Sequence, residues 1–138
     1  MTQRVGSWMT RAVLDIAPEA PLFEALEILA ERRVRHVLVR SGETLVGLLS
    51  NRDIVRTSKR DEAGQLDLHA TTVSEVMTPA PLHTVDPSAS LADAAETMLA
   101  HHVNALPVLE GASLVGILTT EDLLRSLVSS ERTARPDL

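Results

Sequence analysis

Gly116-Ile117-Leu118-Thr119-Thr120-Glu121-Asp122 is written once before in the chain, 69 residues earlier, as Gly47-Leu48-Leu49-Ser50-Asn51-Arg52-Asp53. Each copy is a glycine, two large aliphatic residues, a hydroxyl residue and, three positions after that hydroxyl, an aspartate. Ile54-Val55-Arg56 follows the first copy and Leu123-Leu124-Arg125 the second. The apolar runs at 45–49 and 114–118 suit buried strands. A Ser or Thr after such a run is a preferred helix N-cap, whose side chain bonds an orphan N–H of the first turn. Strand into helix is therefore predicted twice, with Asp53 and Asp122 at the third helical position.

An aspartate there has two readings. In a capping box the carboxylate reaches back to the N–H of the cap and suits the positive end of the helix dipole. In a ligand site the same spot offers free N–H groups, a hydroxyl and a carboxylate together. A carboxylate is a poor host for phosphate but accepts both hydroxyls of a ribose diol in charge-assisted hydrogen bonds. These residues alone leave both readings open.

Outward from the motif, the two halves keep the same order. Trp8-Met9-Thr10 and Val76-Met77-Thr78 open them, and short strands are predicted at 13–16 and 82–85, ended by Pro18 and Pro87. Leu22, Ala25, Leu26 and Leu29, then Leu91, Ala94, Ala95, Met98 and Leu99, recur at helical spacing, with Ser90 as a cap and Pro21 at a tolerated first-turn position. Strands at 34–39 and 103–108 turn at Gly42 and Gly111 into the strands of the motif. Pro107 inside one of them implies an edge or a strand start. A period near 69 residues is too long for a solenoid and marks a duplicated half-domain. Residues 1–7 are expected to be loosely held, 57–71 to form a solvated linker and 129–138 a flexible tail.

With 138 residues, 44% hydrophobic and 23% charged, the chain suits one compact domain, or two half-domains sharing a core. Cysteine is absent, which excludes disulfides and thiolate chemistry. No apolar run approaches the ~20 residues of a membrane span, so no membrane partner and a cytoplasmic location are expected. The formal charge of −6 is uneven: residues 1–70 carry ten basic and ten acidic side chains, and residues 71–138 three against nine. An acidic chain whose aromatics are Trp8 and Phe23 lacks the basic stripe and stacking platforms of a nucleic-acid binder. His101-His102 point about 100° apart on a helix with no further ligand at metal spacing, so no metal is expected. His36, His69 and His83 stand alone, no nucleophile has an attendant base, and no enzyme activity is expected.

Two half-domains that open on Met-Thr, pass through a Leu-Pro-Val strand and close on Gly-aliphatic-aliphatic-Thr-x-x-Asp resemble the cystathionine-beta-synthase (CBS) domain pair, or Bateman module, over residues 5–128. The resemblance implies an α+β fold of two tandem repeats, β-α-β-β-α each, packed about a pseudo-two-fold axis, with repeat 1 at 5–58, a linker at 59–71 and repeat 2 at 72–128. It implies a regulatory module that binds AMP, ADP, ATP or S-adenosylmethionine in the cleft between the repeats, with no cofactor required. The aspartate would hold the ribose, the hydroxyl residue would lie near phosphate, and strand backbone would line the base. Carried over, the first site set is Thr10, Val34, Arg35, His36, Val37, Ser50 and Asp53. The second is Thr78, Pro79, Val103, Asn104, Ala105, Leu106, Thr119 and Asp122. Repeat 1 departs from the pattern at Ser50, where the hydroxyl survives, and at Leu38, which replaces the strand proline.

As a stand-alone module the chain is expected to signal in trans to an effector protein whose identity the sequence does not give. The alternative is a ligand-free dimerisation scaffold in which both aspartates only cap helices. Leu123, Leu124, Leu127 and Val128 form a wide apolar stripe, and family members often pair into disc-like dimers through such helices. A homodimer through this helix and its counterpart at Ile54-Val55 is expected. Repeat 1 has Arg33, Arg35 and His36 where repeat 2 has His102, Asn104 and Ala105. Phosphates of a bound nucleotide are therefore expected to meet Arg35, with His36 or Arg33 assisting.

Overall fold

The protein is described by a computed structural model covering residues 2–133. In chain order the elements are α1 (Val5–Trp8), β1 (Asp15–Ile16), α2 (Leu22–Glu31), β2 (His36–Ser41), β3 (Thr44–Ser50) and α3 (Asn51–Arg56), then α4 (Val73–Val76), β4 (Thr78–Pro79), α5 (Leu91–His101), β5 (Ala105–Glu110), β6 (Ser113–Thr119) and α6 (Thr120–Thr133). The fold is mixed α+β, written as two tandem repeats of a small sheet with helices. Among the described residues they fold as two compact units that do not coincide with the sequence repeats: 14–82 form one, and 2–13 with 83–133 form the other.

In the 14–82 unit the sheet order is β1-β2-β3-β4. β2 and β3 are an antiparallel hairpin that sets His36 opposite Ser50 and Val39 opposite Gly47, β1 runs parallel to β2, and β4 runs antiparallel to β3. α2 lays Leu22, Ala25 and Leu29 on the sheet, as its helical spacing predicts, and these join Ile16, Val37, Val39, Leu49, Val73 and Val76 in one core. α4, from the start of the second repeat, supplies Val73 and Val76 and is joined to the entry of α2 by backbone bonds from Val73 to Ala20 (2.9 Å) and from Leu22 to Thr71 (2.8 Å).

The other unit repeats this plan with the N-terminal segment in the place of α4. β5 and β6 pair as the same hairpin, with Ala105 opposite Thr119. α1 brings Val5, and Met9 follows it, into a core with Leu91, Ala94, Met98, Leu106, Val108 and Leu118. The N–H of Val5 bonds Ala89 (2.9 Å) and that of Leu91 bonds Gln3 (3.0 Å). The first residues are thus anchored, with Val5 fully buried, and the expected loose segment is corrected.

Two other expectations change. The strand expected at 13–16 shrinks to β1, and that at 82–85 to a single parallel bridge from Val85 to Val108. Proline explains the difference: Leu38 donates its N–H to Leu14 (3.0 Å), whereas the equivalent Pro107 has none to give. The linker carries its own turn, in which Asp61 Oδ1 accepts from the N–H groups of Ala63 and Gln65 and Arg60 bridges to Leu66. Leu66 and Leu68 pack on the neighbouring core. α6 continues to Thr133, so residues 129–133 of the expected tail are helical, and 134–138 lie outside the described residues.

Candidate functional site

In each unit the repeated motif sets an aspartate in the first turn of a helix, and its surroundings come from both sequence repeats. In the 14–82 unit, Ser50 ends β3 and caps α3: its Oγ accepts the N–H of Asp53 (3.1 Å), and its own N–H donates to Asp53 Oδ2 (2.9 Å). The second carboxylate oxygen, Oδ1, accepts the hydroxyl of Thr78 (3.0 Å), delivered by β4. Asp53 remains half-buried. At the start of β2, His36 lies opposite Ser50, while the carbonyl of Arg35 accepts the N–H of Asn51 (3.2 Å). Arg35 is exposed and, among the described residues, has no carboxylate partner.

His36 is electrostatically tied to this group. Burial holds its imidazole below the ordinary value of 6.5, Asp53 pulls against that, and Arg52 and Arg35 push the same way as burial. Its uncharged form is thereby favoured over the cation.

In the other unit the aspartate is closed in. Asp122 Oδ2 accepts both the N–H (2.9 Å) and the hydroxyl (3.2 Å) of Thr119, and Oδ1 accepts from Arg125 Nη1 (3.0 Å). The residue is 3% exposed. Thr10 is bonded to β6 in both directions, donating to Ile117 (2.9 Å) and accepting from it (3.0 Å). At the places of Arg35 and His36 stand Asn104, whose carbonyl accepts from Thr120 (3.0 Å), and buried Ala105.

The expected grouping of the opening threonines is thus exchanged. Thr78 and Pro79 lie beside Ser50 and Asp53, and Thr10 lies beside the β6 strand that leads to Thr119 and Asp122. The signal that points to this exchange is the motif glycine. A Cβ at Gly47 would meet Met77 Sδ and, at 2.9 Å, the carbonyl of Thr78. At Gly116 it would meet the carbonyl of Thr10 at 2.8 Å and Met9 Sδ at 2.9 Å. Each glycine makes room for the opening segment of the other repeat. Val37 and Leu106 are buried in the two cores, so only their backbones can face a ligand.

Two histidine pairings were not legible from spacing. His83 stacks on His101 (centroids 3.6 Å apart), and His69 on Phe23 (4.9 Å). Among the described residues no three His, Cys, Asp or Glu side chains are placed to share a metal ion. Among the described residues no helix is long and apolar enough to cross a membrane.

A family model of the CBS domain matches residues 5–60 and 73–129. The CBS domain-containing protein YhcV of Bacillus subtilis (strain 168) is 34% identical over 128 residues, which are 92% of this chain and 87% of that protein. The crystal structure of the CBS domain NE2398 superposes with a TM-score of 0.82 at 27% identity, covering 91% of this chain and 98% of that one. That of CBSX2 in complex with AMP gives 0.78 at 28% identity, covering 92% and 97%. Several longer relatives match as well, and the chain spans less than half of their length.

Proposed function

Because the chain belongs to the CBS domain family, we propose that it is a regulatory module that binds an adenosyl ligand (AMP, ADP, ATP or S-adenosylmethionine) and passes its occupancy to an effector protein in trans. The observation that carries this reading is Asp53. Its carboxylate is oriented by Ser50 and Thr78 yet only half-buried, so it can exchange the Thr78 hydroxyl for a ribose diol without unmaking its bond to the backbone of Ser50. The structure of CBSX2, 28% identical, holds AMP and supports the same class of ligand.

In this reading Ser50, Thr78 and Pro79 shape the ribose end, and the backbone around Val37 meets the base. Arg35 meets phosphate, and His36 offers an uncharged hydrogen bond. Asp122, Thr119, Thr10, Asn104, Ala105 and Leu106 form the corresponding group in the other unit. The module performs no catalysis, works in the cytoplasm and acts as a homodimer.

Calorimetric titration with adenosine, AMP, ADP, ATP and S-adenosylmethionine tests the reading. Asp53→Asn is expected to fold normally and lose affinity for all of them by about tenfold or more, since a charged acceptor is replaced by a neutral one. Arg35→Ala is expected to weaken AMP and ATP but hardly adenosine, and the wild-type affinity for AMP should fall with salt. The rival, a ligand-free scaffold, draws on the capping bonds that both aspartates already make. Flat titrations with all five ligands would establish the scaffold instead.

A further inference from the structure

Arg56 and Arg125 stand at the same place in the two repeats, three residues after Asp53 and Asp122. One of them engages its aspartate and the other does not. Arg125 donates from Nη1 to Asp122 Oδ1 at 3.0 Å and lies 3.6 Å from Glu121 one turn back. Arg56 is exposed and, among the described residues, makes no hydrogen bond or ion pair with Asp53. Helix length accounts for the difference. Arg125 sits within the 14 residues of α6, which hold it over Glu121 and Asp122, whereas Arg56 is the last residue of α3 and the chain turns extended at Thr57.

The carboxylate oxygen that Arg125 takes is the one an incoming group needs. Both aspartates spend Oδ2 on the backbone N–H of their cap residue. At Asp53 the remaining Oδ1 accepts the neutral hydroxyl of exposed Thr78 (3.0 Å), which another hydroxyl can replace at little net cost. Thr10, the equivalent of Thr78, makes no such bond to Asp122 among the described residues, and Arg125 stands in its place. A diol arriving at Asp122 must therefore displace a cation, and the pull between the guanidinium and a carboxylate that is 3% exposed is weakly screened.

We propose that Arg125 is an internal competitor for Asp122: it keeps this carboxylate from taking the ribose of an adenosyl ligand, so that each chain holds one such ligand, at Asp53, and a second site forms when Arg125 is removed. This rests on the function proposed above and adds which carboxylate is free to serve it. The Arg125 side chain is 61% exposed, so shortening it clears Oδ1 without emptying the core.

Adenosine is the probe, because it carries the diol and no phosphate for Arg125 to attract. Calorimetric titration compares the wild-type chain with Asp53→Asn and with Asp53→Asn/Arg125→Ala, circular dichroism checking that each folds. One adenosine per wild-type chain is expected. In the Asp53→Asn background, Arg125→Ala is expected to raise the affinity for adenosine about tenfold or more, and adding Asp122→Asn is expected to remove the gain. Arg125→Gln keeps the length of the side chain, loses its charge and should show the same gain where the alanine variant does not fold. Two adenosines per wild-type chain would overturn the proposal, because Asp122 would already be open. No gain on removing Arg125, or a gain that survives Asp122→Asn, would overturn it as well, while one adenosine bound by the wild type would still uphold Asp53. A wild-type chain that takes no adenosine beside an Arg125 variant that gains it would count against the function proposed for Asp53 and support the competition at Asp122.

Discussion

Asp53 and Asp122 occupy the same place in the duplicated plan and live in different surroundings. Asp53 shares its charge between one backbone N–H and the hydroxyl of an exposed threonine, and it remains half-buried. Asp122 is 3% exposed and tied to an arginine as well as to the N–H and hydroxyl of Thr119. The difference begins with small changes of sequence. Ser50 acts as a full capping box, accepting from Asp53 while donating to it, whereas the Thr119 hydroxyl turns round and donates to Asp122. A repeated motif therefore fixes where a carboxylate stands but not what it has left to offer, since a group already supplied with donors gains little from a new partner.

What the two units share should break first. The close approach at Gly47 and Gly116 involves a backbone carbonyl in both, with 2.9 Å to Thr78 O and 2.8 Å to Thr10 O for an added Cβ, so neither neighbour can swing aside as a side-chain end would. Gly47→Ala and Gly116→Ala are each expected to cost ~2–3 kcal/mol in denaturant unfolding, the upper part of the range for overpacking. If the exchange of opening segments matters equally in both units, the two losses should agree within about 1 kcal/mol. A neutral Gly116→Ala would mean that the Met9-Thr10 segment is not held against β6.

The hairpins and long helices were legible because their signal is a hydrophobic period, which survives without knowledge of neighbours. Leu22, Ala25 and Leu29, and Leu91, Ala94 and Met98, face their cores as that period requires, whereas Leu99, read into the same stripe, is 75% exposed. The exchange was not legible. Trp8-Met9-Thr10 and Val76-Met77-Thr78 fill equivalent slots, and which slot each fills is settled by how the chain closes in space, not by residue type. α1 and α4, at four residues each, are too short to show a period. One signal for α4 was nevertheless present, since Thr72 and Glu75 form a capping box in which the Glu75 carboxylate accepts the N–H of Thr72 at 2.9 Å. The surroundings of His36 and Arg125 depend on burial and on contacts across turns, which a linear reading does not rank.

The aspartates themselves sharpen the contrast at the next level of effect. Asp122→Asn removes a charged acceptor from a buried position and leaves Arg125 only its longer contact to Glu121 at 3.6 Å, so a loss of ~2 kcal/mol is expected. Asp53→Asn leaves a half-buried cap weakened, with a loss of about 1 kcal/mol or less. Equal losses in chemical unfolding would erase the distinction between a closed carboxylate and an available one. So would a reversed order.

The smallest effect concerns His36, which has buried Ala105 as its counterpart and so belongs to one unit alone. Burial is the main cause of its lowered pKa, outweighing the attraction of Asp53, and Arg52 and Arg35 add to the lowering. The folded chain therefore binds this proton less readily than the unfolded chain, whose imidazole titrates near the ordinary value of 6.5. Well above that pH both states are neutral there and His36 contributes nothing to the pH dependence. As pH falls through 6.5 the unfolded state takes up the proton first, and stability declines until the folded-state value is passed. Unfolding midpoints at about pH 7.5 and about pH 5.5 measure the decline, and His36→Gln should make it shallower by removing this group from the titration. A variant with the wild-type decline would show that His36 gains its proton as easily in the fold as out of it. The imidazole would then take up its proton beside Asp53 at mildly acid pH.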